Sequence, residues 1–157
     1  MLFAKIWNTS PDNLISSYDT YGVMLKGDTP TKLWPHRDES VTARKRTYQG
    51  LVQLTTNKDE GLVIWPDSHK PPYISPKDVE RDMIVAKLVT APAGSLIVWD
   101  SRLVHCNLNN GLRDRFVLYV CMVPKTLVSK RALNKLKYYN ANKLTTNHNP
   151  FFPVSHP

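Results

Sequence analysis

The chain has 157 residues, a mass of 18.0 kDa, 41% hydrophobic and 22% charged residues, and a formal net charge of +8. That length supports one buried core and is short for two. The composition excludes wholesale disorder, and no apolar run approaches the ~20 residues of a membrane span. The charge is uneven: the segment ending at Asp114 carries 14 basic and 13 acidic residues, whereas the last 43 carry seven basic and no acidic ones. The basic tail reads first as a solvated face; the competing partners are nucleic acid, an anionic membrane or an acidic protein. Two cysteines, Cys106 and Cys121, and a start without a long apolar stretch predict a reduced, cytoplasmic location with no disulfide framework.

In chain order, Ser10 as cap, Pro11 at the first helical position and the stripe Leu14, Ile15 and Tyr18 predict a helix near the N-terminus. Short extended runs follow: Tyr21 to Leu25, Tyr48 to Thr55, Gly61 to Trp65, Ala86 to Val89, Ser95 to Asp100, and Phe116 to Val123, the strongest. β-Branched and aromatic residues dominate them. Asn57 to Gly61 reads as a hairpin loop, Asn109-Asn110-Gly111 as a turn, and Pro92-Ala93-Gly94 as a type I turn. Short strands punctuated by turns predict a sandwich or barrel. A short helix near Pro76 to Met83 and a longer one from Leu127 to Tyr139 are the exceptions. The longer helix has Val128, Ala132, Leu136 and Tyr139 on its apolar face. The end, Asn147 to Pro157, reads as irregular chain. One domain covers 1–157, with a barrel core at about 20–124 and the basic helix and tail at 125–157.

The chemistry concentrates in three places. In an extended segment His36 and Asp38 leave on one face. His105 lies just past the strand Ser95 to Asp100. Two imidazoles and one carboxylate can occupy one triangular face of an octahedral metal and leave three positions open, the donor set of non-haem Fe(II) oxygenases. Taken singly, His36 reads as a surface histidine and His105 as a core one; His69, His148 and His156 read as structural. Arg115 heads the Phe116 to Val123 strand, which is apolar on both faces and therefore predicted to be buried on both sides. A buried guanidinium needs an anion, so Arg115 calls for a carboxylate. The structural alternatives are Asp100 or Asp114 as its partner, and Arg113 is the rival arginine.

Together, His36-x-Asp38, His105 and Arg115 resemble the Fe(II)- and 2-oxoglutarate-dependent oxygenases, specifically the phytanoyl-CoA dioxygenase-like branch. Leu62 to Lys70, with Pro66-Asp67-Ser68-His69, is similar to that branch's strand and Pro-Gly-Ser-His turn, with Asp67 in place of Gly. Ala93 to Asp100 resembles the segment that delivers its second histidine, and Arg115 to Val120 its last core strand. The resemblance covers roughly residues 20 to 124. It implies a double-stranded β-helix, a flattened jelly-roll barrel, and a dioxygenase (hydroxylase). His36, Asp38 and His105 would hold Fe(II), and Arg115 would take the far carboxylate of the cosubstrate 2-oxoglutarate. Asn107 stands at a Ser/Thr position that helps hold the cosubstrate. Molecular oxygen would be consumed and succinate and carbon dioxide released. Asp38 argues against the related halogenases. The segment before His36 is short for the family, so one alternative is a reduced barrel kept as a binding module; the basic tail carries the other, a small basic nucleic-acid-binding protein. The ten-residue spacing from His105 to Arg115 disfavours the nucleic-acid demethylase branch, and with it nucleic acid as partner. The small-molecule substrate and the oligomeric state are left open.

Overall fold

The computed structural model describes residues 1–17, 19–43, 46–81 and 85–144. Tyr18, Met83 and the end from Asn147 to Pro157, with His148 and His156, lie outside the described residues. The elements are α1 (Leu2–Ile6), β1 (Leu14–Ser16), β2 (Tyr21–Met24), β3 (Tyr48–Gln53), β4 (Asn57–Ile64), α2 (Asp78–Arg81), β5 (Lys87–Ala91), β6 (Leu96–Asp100), β7 (His105–Leu108), β8 (Arg115–Pro124) and α3 (Lys130–Ala141), with single 3-10 turns at Pro11–Asn13 and Lys125–Leu127.

The fold is mainly β, in two antiparallel sheets. One runs β1-β8-β3-β6 with β2 also on β8; the other is β5-β4-β7. Leu51 and Gln53 of β3 sit opposite Tyr119 and Val117 of β8. Leu51, Val117 and Trp99 from the first sheet pack with Leu62 of the second and with Leu103, forming the core between the sheets. A second cluster, Val63, Trp65, Val79, Val104 and Cys106, lies on the other face of β4 and β7.

Three sequence expectations need correction. Ser10 and Pro11 start only one 3-10 turn, because Leu14–Ser16 pairs with Pro124–Met122 of β8 instead of continuing a helix. Non-local pairing overrides a local capping pattern. Asn57 to Gly61 is not a hairpin loop but the bulged first half of β4. The Asn57 side chain fills the bulge, donating to the carbonyls of Glu60 (2.9 Å) and Val89 (2.8 Å) and accepting from the Ala91 N–H (2.8 Å). Gly61, at φ 140°, is required there: a Cβ would meet the Asn57 amide at 2.5 Å. Finally, β8 is buried on one side only. Arg115, Val117, Cys121 and Val123 are buried, while Leu118 on the other face is exposed.

The predicted C-terminal helix exists as α3, starting at Lys130 after the 3-10 turn. Val128, Ala132, Leu136 and Tyr139 are buried as the stripe requires. Lys130, Arg131 and Lys137 are exposed, in line with the solvated-face reading. Ser129 caps the helix, its hydroxyl accepting from the Ala132 N–H at 3.1 Å. Ser129→Ala should cost about 1 kcal/mol in denaturant unfolding without moving any site property.

Candidate metal centre

His36 and His105 meet because their backbones pair. The His36 N–H donates to the His105 carbonyl (3.0 Å), and the His105 N–H to the His36 carbonyl (2.9 Å), an isolated antiparallel bridge at the head of β7. The sequence pattern places His105 just past β6 and does not predict β7 as a strand. Asp38 is fixed by the loop after β6: its N–H and that of Glu39 both donate to the Ser101 carbonyl, at 3.2 and 3.1 Å. One ligand atom from each of His36, Asp38 and His105 then falls within 4.8 Å of the others, so the group can hold a metal ion. Asp38 Oδ2 lies 3.2 Å from His105 Nε2, and Oδ1 lies 3.8 Å from His36 Nε2.

The outer contacts set the tautomers. His36 Nδ1 faces the Trp34 carbonyl at 3.2 Å, and His105 Nδ1 faces the Leu103 carbonyl at 3.0 Å. A carbonyl only accepts, so Nδ1 carries the proton in each ring and Nε2 presents its lone pair to the centre. Trp34 stacks on His36 at 4.4 Å between centroids, and Trp99 packs against His105 at 5.3 Å. Burial works to raise the Asp38 pKa. In the metal-free protein, the hydrogen bond and charge of His105 when its ring is protonated, the Gln49 amide, and the charge of a protonated His36 outweigh it and bring it to about 2. A bound metal would take the place of any Nε2 proton, so the donor set would be two neutral imidazoles and one carboxylate, which fits a divalent first-row metal such as Fe(II).

Arg37, between two of these residues, points the other way. Its Nη2 donates to the carbonyls of Ser68 (3.2 Å) and Ile74. Ser68 in turn accepts from the Val104 N–H at 2.8 Å, which ties the turn after β4 to the segment that delivers His105. Asp67 adopts φ 62°, the left-handed region that glycine favours and Asp tolerates, which accounts for the replacement of Gly in the resembled motif.

Arg115 is 1% exposed. Its Nη2 donates to Asn107 Oδ1 (3.1 Å) and its Nη1 to the Met24 sulfur (3.1 Å), while Nε has no partner. Among the described residues no carboxylate lies within ion-pair distance of it, and burial pulls its pKa down. The structural alternatives are engaged elsewhere: Asp100 is held by Arg102 through two hydrogen bonds (2.8 and 2.7 Å), and Asp114 accepts from the Lys26 N–H (2.8 Å). Arg113, the rival, is 53% exposed and faces Asp59 at 3.5 Å. Asn107 leaves β7 two residues after His105, and its amide also donates to the Tyr119 hydroxyl at 3.0 Å. It therefore bridges Arg115 and Tyr119.

Gln49 was missed by sequence reading. Its Nε2 donates to Asp38 Oδ2 at 3.0 Å, and its Oε1 is buried with no partner among the described residues. The available signal was its place on the same face of β3 as Leu51 and Gln53, where a buried amide needs a polar neighbour.

No family model matches the chain. The chain is similar to the Ava biosynthesis cluster protein O of Aspergillus versicolor, 27% identical over 182 residues, an alignment that covers 94% of this chain and 58% of that protein. Among solved structures it is similar to EvdMO1, with a TM-score of 0.57 and 24% identity over 73% of this chain and 27% of that one. The second likeness is one of fold.

Proposed function

We propose that this chain is an Fe(II)- and 2-oxoglutarate-dependent dioxygenase, built on a double-stranded β-helix, that hydroxylates a small molecule. The convergence of His36, Asp38 and His105 on one point is the observation that carries this reading. The buried Arg115, with no carboxylate within ion-pair distance among the described residues, supports it, as does likeness to a protein named for a biosynthesis cluster. Iron bound with 2-oxoglutarate would supply the oxygen chemistry.

The chain's own residues supply position. His36 and His105 offer Nε2 with the proton parked on Nδ1, and Asp38 offers an ionised oxygen without any proton to lose near neutrality. Gln49 holds the Asp38 carboxylate in orientation. Trp34 and Trp99 flank the two rings and fix their planes. Arg115 presents a guanidinium, already stripped of water, to the far carboxylate of the cosubstrate, and Asn107 keeps that guanidinium in place.

The test is anaerobic loading with Fe(II), addition of 2-oxoglutarate and oxygen, and quantification of succinate. Stoichiometric succinate that needs iron is expected; none with iron demonstrably bound would leave the binding-module alternative. Gln49→Leu should weaken iron binding by about 10–100-fold, as loss of an outer-shell partner does, with the fold retained by circular dichroism.

A further inference from the structure

A cavity of about 530 Å³ opens between β1 and α3, at the end of β8 remote from Arg115. Its floor is Ile15, Leu133 and Leu136, and its rim carries Lys125, Lys130 and Lys137. No acidic side chain among the described residues lines it. None of the three lysines has a carboxylate within ion-pair distance among the described residues. The volume is that of a small-molecule site. Three unpaired ammonium groups around an apolar floor favour a ligand with an apolar body and an anionic head: burial of the body is driven by the hydrophobic effect, and the head lowers the mutual repulsion of the lysines. The charge asymmetry of the sequence supports this. Of the seven basic residues after Asp114, Arg115 is used inside the sheets and the others lie on or beside α3.

We propose that this groove binds a free amphipathic carboxylate, an unbranched or lightly branched alkyl acid, at a site separate from the metal centre. The lysines hold the carboxylate at the rim while the alkyl chain lies along Ile15, Leu133 and Leu136. The polar rim and a floor of only three apolar side chains, which also pack on the core, suit a single molecule in solution better than a bilayer surface.

Dodecanoate, titrated below its micellar range into the whole chain and followed by calorimetry and by backbone NMR, tests this. Saturable one-to-one binding is expected, with shifts centred on Ile15, Ser16 and Leu133. The double variant Lys130→Glu/Lys137→Glu should lose at least tenfold in affinity. The charge-matched control Arg131→Glu/Lys143→Glu, outside the groove, should keep affinity within about twofold, and circular dichroism should show both variants folded. Dodecanol should bind far more weakly. Absence of saturable binding, equal losses in both double variants, or binding to phosphatidylglycerol vesicles without binding to monomeric dodecanoate would each overturn the proposal.

Discussion

His105→Ala is expected to abolish specific metal binding while the protein stays folded. His105 is one of three donors, and its Nε2 lies 3.2 Å from Asp38 Oδ2. Removing an outer-shell partner of a metal ligand already costs about 10–100-fold in affinity, so removing the ligand itself should cost more than that. The fold should tolerate the change because the bridge to His36 is made by backbone atoms, which alanine retains. The lost contacts are the Nδ1 bond to Leu103, the Nε2 contact with Asp38 and packing against Trp99 and His36, worth about 1–3 kcal/mol together. Equilibrium dialysis against Fe(II) without oxygen, with Co(II) as an air-stable check, measures the first effect, and urea unfolding the second. Retained affinity in the variant would show that the metal site lies elsewhere. His36→Ala should match it in metal loss at a smaller cost in stability, since that ring is more exposed.

These outcomes bear on what the sequence could disclose. His36 and Asp38 were legible because a two-residue spacing in extended chain fixes a common face whatever the rest of the fold does. His105 was legible only as a histidine after a strand. That it heads β7 and bridges His36 depends on pairing between segments 69 residues apart, for which local propensity gives no signal. The same limit hid β1, where a good capping pattern yields to pairing with β8, and the start of β4, where turn-forming Asn57 and Gly61 serve a bulge inside a strand. Gln49 escaped notice because a neutral amide gains a role only from the carboxylate placed beside it. By contrast, the strands at 96–100 and 115–124 and the buried stripe of α3 were readable, since their periodicity and the burial that rewards it lie in one contiguous segment.

The most discriminating result concerns Arg115, because a structural arginine and a ligand-binding one predict changes in stability of very different size. A buried ion pair broken by removing one partner loses about 3–5 kcal/mol, whereas a buried cation with no carboxylate partner gains little by being there. Arg115 has Asn107, a methionine sulfur and an unpartnered Nε around it and, among the described residues, no carboxylate within ion-pair distance, although the buried Glu60 lies near enough to act on it through its charge. Arg115→Met, of similar length and apolar, should therefore change unfolding free energy by no more than about 1 kcal/mol in either direction: the Asn107 oxygen loses a donor, and a desolvated charge disappears. Binding of 2-oxoglutarate to the iron-loaded protein should instead be lost, while iron binding itself persists. Arg115→Lys separates shape from charge. A lysine keeps the cation but not the paired N–H geometry, so it should weaken 2-oxoglutarate by about 1.5–3 kcal/mol, roughly tenfold to somewhat over a hundredfold. Arg113→Lys, on an exposed residue facing Asp59, should leave that affinity unchanged. Calorimetric titration of 2-oxoglutarate against each iron-loaded variant, paired with urea unfolding of the metal-free forms, reads both quantities. A loss of several kcal/mol of stability in Arg115→Met with cosubstrate affinity intact would make Arg115 a structural residue and remove the cosubstrate from the proposed chemistry.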